Sequence, residues 1–490
     1  MKTYLGLDLG TSVLKATVID EKGSVLAHLA REITISQPKQ NYAEESPQVW
    51  WETFKLLFTE LNKTVPLCSI QGVGISGQMH GLVTLDKNKK PLRPAIIWAD
   101  RRSEQEVQTI LKKIPQNKMY SITGNPLFTG FMLPSLLWIQ NHEKKLFRTI
   151  MHVCSPKDYI AFLLTGVLNS EPTDALATGV FDYKNNVWSQ HILDHLEMPI
   201  DIFPHIIASA NPYGIISSDA SKETGLPENI PVFGASDQSM AALGAGLIRH
   251  GDALLAISTG GQFLVVSDDR VVDPKHRLHT LNHALTGKTI YMAATLSAGL
   301  SLKWFKTKVM NQIDSSYDHF IKEINDIPIG SDGLFFFPFL NGERTPYFNP
   351  NLRSAFIGQT LNHNNKHFIR AIMEGVAFSF REGLESFQEL GIPIKNIILS
   401  GGGSKNPTWR SIVTNVLGLP TNMINIDDHS PYGAALFALQ NTTKCRLEDI
   451  YKNVIQATNK LSPNKELHAE YNKIYYQYKK IAAYLNTFYS

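Results

Sequence analysis

The sequence predicts a two-lobed α/β protein, and three observations carry that reading. The chain has 490 residues, and at roughly 150 residues per domain that is too long for one ordinary core. Short apolar runs of strand type alternate with helical periodicity along its length, the pattern of sheets flanked by helices. Two β-hairpins with small, hydroxyl-bearing tips, Gly10-Thr11-Ser12 and Ser258-Thr259-Gly260-Gly261, echo each other half a chain apart. The echo places a boundary near residue 245 and divides the chain into lobes of residues 1–245 and 246–490.

In the first hairpin Leu5, Leu7 and Leu9 alternate along one strand, and Val13 to Ile19 form the second. Gly10 lets a ligand approach the backbone, Thr11 and Ser12 offer hydroxyls, Asp8 precedes the turn and Lys15 follows it; these suit phosphate and a divalent metal. An ordinary turn would use the same small residues. Ser24 to Ile35 reads as a third strand. Ser46-Pro47 then opens a helix whose Trp50, Trp51, Phe54, Leu57, Phe58 and Leu61 share one face. Ile70 to Ile75 is a buried strand ending in Ser76-Gly77-Gln78-Met79-His80-Gly81, where His80 beside Gln78 makes a polar cluster suited to hydroxyl recognition, although a lone histidine is more often structural. Leu82 to Leu85 and Pro94 to Trp98 are further strands, and Trp98, by its size, belongs in a core more often than under a ligand. Asp100 leaves the end of that strand.

Helices are expected at Pro134 to His142 and Lys157 to Leu164, with loops at Gly124 to Phe131 and Glu171 to Thr178. Ile230 to Ala235 is a strand, and Asp237 opens a small-residue helix reaching about Gly246, where it could serve simply as the cap. Phe335 to Pro350 is a loop in which Glu343 and Arg344 could pair. His367 to Leu390 is a long helix. Ile394 to Ser400 is a strand entering Gly401-Gly402-Gly403, with Asn406-Pro407 starting a helix that Gly418 ends. Such a turn suits a phosphate-bearing ligand, though glycine triplets also occur in plain loops. Pro431 to Ala435 is a small-residue helix fit for close packing between lobes, and His468 to Leu485 an outer amphipathic helix.

Composition narrows the class. Hydrophobic residues make up 43% and charged residues 19%, and 47 basic against 44 acidic side chains leave a net charge of +3, with no footprint of a nucleic-acid binder. Cys68, Cys154 and Cys445 lie far apart, so neither a disulfide framework nor a zinc site is indicated, and a reducing cytoplasmic setting is expected. Neither an export signal nor a membrane span is expected.

Taken in order, LDLGTS, GISGQMHG, PAIIWADRR, GASDQ, STGG, NGERTP, LSGGGSKNP and PYGAA resemble the FGGY carbohydrate kinases over essentially the whole chain. The resemblance implies two lobes of the actin and hexokinase (ribonuclease H-like) type, a duplicated domain with mixed sheets flanked by helices, binding sugar and ATP. It aligns Asp237 with the catalytic base and Asp8 with the Mg²⁺ site. It further implies that Gly10, Thr11, Ser12, Lys15, Thr259 and Gly260 approach the phosphates, that Gly402, Gly403 and Asn406 line the adenosine site, and that Gln78, Met79, His80, Trp98 and Asp100 surround the sugar. The implied acceptor is a ketopentose, D-xylulose first. Ribulose, gluconate or another polyol stays open, and from another class so does a two-lobed ATPase of the chaperone or filament type. Glycerol is disfavoured because glycerol-specific members carry Arg-Glu where this chain has Met79-His80. Two departures touch the sugar: Ala235-Ser236-Asp237-Gln238, where xylulose-specific members usually have glycines and then Asp-Asn, and Ala99-Asp100, where Asn or Gln is common before the acidic residue or glycine. Partners are expected to be sugar and ATP, not nucleic acid or membrane, with a homodimer left open.

Overall fold

The structure, a computed structural model, describes residues 1–313, 316–321 and 324–490. Contacts divide the chain into two compact units, neither continuous in sequence. The first comprises Met1–Ile248, Thr280–Thr289 and Asp428–Ile455; the second comprises Arg249–His279, Ile290–Asp427 and Gln456–Ser490.

In the first unit β1 (Thr3–Leu9) turns through Gly10 into β2 (Val13–Asp20), followed by β3 (Val25–Glu32). The turn requires glycine, because a Cβ at position 10 would stand 2.6 Å from the Val13 carbonyl oxygen. Next in the sheet come β4 (Ile70–Gly77), the short edge strand β5 (Gly214–Ile215) and β6 (Pro231–Gly234). Their spatial order is β5-β6-β4-β1-β2-β3, with β6, β4 and β1 mutually parallel. The helix Pro47–Leu61 has its proline at the first turn and buries the expected aromatic and leucine face.

In the second unit β7 (Ala253–Ile257) and β8 (Gly261–Ser267) form the second hairpin, followed by β9 (Thr289–Thr295), β10 (Ile397–Ser400), β11 (Thr421–Ile424) and β12 (Ala457–Leu461). These run β9-β8-β7-β10-β11-β12. As β1 is antiparallel to β2 and parallel to β4, so β7 is antiparallel to β8 and parallel to β10. The echo read in the hairpin tips is thus an echo of sheet topology. Helix Asn365–Glu389 packs into this unit's core, and Lys465–Phe488 buries Tyr471, Tyr475, Tyr478 and Ala482.

Several elements differ from their expected form. Glu171 to Thr178 is not a loop: Pro172–Ala175 is one helical turn and Leu176–Thr178 a 3₁₀ turn. The Glu171 side chain caps it by accepting from the N–H groups of Thr173 and Asp174. One turn is too short to show helical periodicity. The strand expected at Pro94 to Trp98 shrinks to Ala95–Ile96, and Trp98 beyond it is 44% exposed rather than core. β10 begins at Ile397 rather than 394, opposite Ala253 where its partner begins. In the loop after 335, Phe335–Phe337 pairs with Ala355–Ile357, and Glu343 accepts the backbone N–H of Leu296 at 2.9 Å and of Arg344 at 2.7 Å. The small-residue helix, His429–Thr443, makes its close contacts inside the first unit: a Cβ on Gly6, Gly74 or Gly244 would lie 1.9 Å from the carbonyl oxygen of Pro431, Ala434 or His429. Among the described residues, no helix is long and apolar enough to cross a membrane.

Candidate active site

The C-terminal ends of the parallel strands β1, β4 and β6 deliver Asp8, Gln78 to His80, and Asp237 to one edge of the first sheet, where ligands bind in open α/β sheets. Strand register sets Asp8 opposite Lys15 on β2 and Ser76 on β4. One Asp8 oxygen, Oδ1, accepts the Ser76 hydroxyl at 2.8 Å and the Ser430 hydroxyl at 3.0 Å. Burial lifts Asp8 above the ordinary carboxylate range, against the pull of those hydroxyls and of the Lys15 ammonium.

Asp237 is the first residue of the helix Asp237–Gly244. The cap position belongs to Ser236, so the expectation that Asp237 caps the helix does not hold. Its Oδ1 accepts the Gln238 N–H at 2.7 Å. Dehydration by the surrounding protein, then the nearby carboxylates of Asp8 and Asp174, push Asp237 up to about 8, with the Gln238 N–H opposing. A carboxyl raised by burial and by a second carboxylate beside it marks a site suited to a base, a cation or both.

His80 adopts the left-handed conformation, φ 73°. Its ring stacks on Phe131 with centroids 4.0 Å apart, and Nδ1 lies 2.6 Å from the Ala177 carbonyl. A carbonyl only accepts, so Nδ1 carries a proton, which leaves Nε2 as the acceptor when the ring is neutral. Buried Gln78 donates from Nε2 to Glu45 at 2.9 Å, and Glu45 also accepts the Trp50 indole at 2.8 Å. Burial raises Glu45 to about 7 against those two hydrogen bonds. Met79 is buried. Trp98 donates its indole N–H to the Thr11 hydroxyl at 2.8 Å, joining the residue expected under the sugar to the hairpin expected at the phosphates. Asp100 is fully buried and spends its oxygens on the Ala43 and Arg102 N–H groups and the Arg102 guanidinium.

At the hairpin tip Ser12 accepts the Ile33 N–H through its carbonyl. Lys15 reaches Asp428 at 2.5 Å. Burial disfavours charge on Asp428, but hydrogen bonds from His28 and Lys15 outweigh it and hold Asp428 at about 2. Asp428, Ser430, Glu45 and Asp174 are site residues that sequence reasoning missed.

In the second unit Thr259 and Gly260 form the tip between β7 and β8, where a Cβ on Gly260 would meet the Thr295 carbonyl oxygen at 2.8 Å. The glycine triplet divides by cause. Gly401 has φ 81°, and a Cβ on Gly403 would press on Ile257 at 2.5 Å, whereas one on Gly402 meets nothing within 4 Å. Asn406 caps the helix Pro407–Leu417 by accepting the Trp409 N–H at 3.0 Å.

Known proteins share this fold. Profiles of the N- and C-terminal domains of the FGGY family of carbohydrate kinases match residues 3–244 and 254–441. The chain is 33% identical over 486 residues to a xylulose kinase of Bacillus subtilis, covering 98% of this chain and 97% of that one. The solved xylulose kinase of Rhodospirillum rubrum superposes with a TM-score of 0.94 at 27% identity, covering 100% of both chains. The gluconate kinase of Lactobacillus acidophilus gives 0.94 at 25% identity, covering 100% of this chain and 99% of that one. With both domains matched in order and full-length relatives above 30% identity, the chain belongs to the FGGY family of carbohydrate kinases.

Proposed function

We propose that this ATP-dependent carbohydrate kinase phosphorylates a ketopentose, converting D-xylulose to D-xylulose 5-phosphate, with Asp237 as general base. The observation that carries the role of Asp237 is its proton affinity: a carboxyl at the end of β6, beside Asp8, is pushed to about 8, near the pH at which it must take the acceptor's proton. Little proton transfer has occurred when the phosphoryl group is in flight, so a carboxylate is base enough. His80 Nε2 then accepts a sugar hydroxyl, Trp98 presents an exposed ring to the carbon skeleton, and Gln78, Met79 and Asp100 hold the pocket wall. In the second unit Thr259 and Gly260 approach the phosphates, and Gly402, Gly403 and Asn406 flank the adenosine.

Asp8 fits Mg²⁺ as a hard oxygen donor, with the Asp237 carboxyl beside it as a second. An ion here would be held by one or two carboxylates together with phosphate oxygens and water. When bound it neutralises charge on the phosphates. Gly10, Thr11, Ser12 and Lys15 act on phosphate oxygens at the first hairpin, and the proposed setting is the cytoplasm.

Support for xylulose comes from the Bacillus and Rhodospirillum relatives. Gluconate is the second reading, favoured by the Lactobacillus gluconate kinase. An ADP-release assay over xylulose, ribulose, gluconate, glycerol and erythritol decides. Xylulose is expected to give the highest kcat/KM; gluconate ahead by a wide margin overturns the ketopentose assignment.

A further inference from the structure

We propose that Thr173 is a positioning residue for the base, its hydroxyl fixing the Ala235–Ser236 peptide one residue before Asp237. The proposal rests on the reading of Asp237 as base. β6 ends at Gly234, and although the Ala235 N–H still reaches the Ile75 carbonyl of β4, the next N–H, of Ser236, has left the ladder. It donates instead to Thr173 Oγ1 at 2.7 Å, with both residues fully buried. A hydroxyl has one proton, and Thr173 gives it to Glu171 Oε1 at 2.6 Å, so its lone pairs face Ser236.

Glu171 is itself fixed. It accepts the N–H groups of Thr173 and Asp174 at 2.9 and 3.1 Å and the Ser209 hydroxyl at 2.7 Å, and the buried Lys157 ammonium stands 3.6 Å away. A second tie runs beside the first: the Ser236 and Ser239 hydroxyls are 2.8 Å apart, Ser239 donates to the Asn282 carbonyl at 2.7 Å, and the Asn282 amide donates to the Pro172 carbonyl at 2.8 Å. The turn Pro172–Ala175 thus grips the start of the base's helix from two sides, and a little further on the Ala177 carbonyl holds His80. One short segment fixes the base and the proposed sugar-binding histidine relative to each other.

The test is Thr173→Val, which keeps the shape and removes the hydroxyl, with Thr173→Ser as the conservative rescue. A base displaced by a fraction of an ångström to an ångström predicts that kcat falls by about 10²-fold while KM for sugar and for ATP stays within about threefold. T173S is expected to recover most of the kcat, and T173V in a D237N background to add no further loss, since the hydroxyl acts through that carboxylate. Wild-type kcat in T173V alongside an impaired D237N overturns the positioning role and leaves the base intact. Full kcat in D237N overturns the base, and the positioning role with it. If T173V does not fold, Ser239→Ala cuts the second tie: reduced kcat at unchanged KM supports the proposal, and wild-type kcat overturns it.

Discussion

Asp237 is held, by dehydration first and by Asp8 and Asp174 after it, in surroundings that favour its neutral form up to about pH 8, against an ordinary value of 3.8. The folded state therefore binds this proton more tightly than the unfolded chain does, and the stabilisation it brings is complete below the unfolded value and lost as pH rises through the folded one. Asp237→Asn removes the charge but not the shape. At pH 9 the variant should melt at a higher temperature than wild type, and the difference should vanish near pH 4, as read by thermal unfolding across pH. Its kcat should nonetheless fall by about 10²- to 10⁴-fold, the range for a lost general base; a variant within about threefold of wild type, well short of that range, would sink the assignment. The pH dependence of wild-type kcat/KM for sugar should show an acid limb that falls below about pH 8, because only the ionised carboxylate accepts a proton. His80 is tested differently, because its backbone lies at φ 73°. Asparagine tolerates that conformation better than alanine does, so His80→Asn isolates the ring. It should raise KM for sugar by the equivalent of about 1–3 kcal/mol, the cost of a lost buried hydroxyl partner, and leave KM for ATP alone.

The glycine triplet after β10 makes the next scale testable, because its three residues are glycine for different reasons. Gly403→Ala drives a methyl group to 2.5 Å from Ile257 and should lower the melting temperature by the equivalent of roughly 1–3 kcal/mol, the usual cost of overpacking. Gly402→Ala meets no atom within 4 Å and should leave stability unchanged. Gly402→Asp adds a charge to the same open position and should weaken ATP binding, measured by calorimetry, more than sugar binding; equal losses for both ligands would count against the nucleotide site. Elements of this kind were legible in the sequence because local chemistry dictates them: the tip at Gly10, proline at the start of Pro47–Leu61, the Asn406 cap, the Gly418 stop. The partners of Asp8 and Lys15 were not legible. Ser430 and Asp428 lie 422 and 413 residues away from them, and no local pattern announces a serine or aspartate as a site residue. The helical turn within Glu171 to Thr178 is illegible for a related reason, since a single turn capped by a glutamate carries no periodicity.

At the scale of the whole chain, the first unit is completed from both directions in sequence. Helix His429–Thr443, drawn from the last quarter of the chain, lies against β1, β4 and the helix Asp237–Gly244 so closely that Gly6, Gly74, Gly244 and Gly433 are each needed where a Cβ would fall 1.9 Å from a carbonyl oxygen. It contributes Leu436 and Phe437, both buried, and the Ser430 hydroxyl on Asp8. A fragment of residues 1–248 lacks all of this. It would expose the apolar face that the helix covers, together with the small residues shaped to receive it, and such a face is an aggregation surface in water. The fragment is therefore expected to be insoluble or loosely packed, with shallow, non-cooperative unfolding by circular dichroism. Adding a chain of residues 428–455 in trans should restore a cooperative transition whose midpoint rises with the concentration of the added chain, as binding to the folded state alone requires. A 1–248 fragment that unfolds cooperatively with no help, and gains nothing from the second chain, would show that the late helix decorates a unit already stable without it.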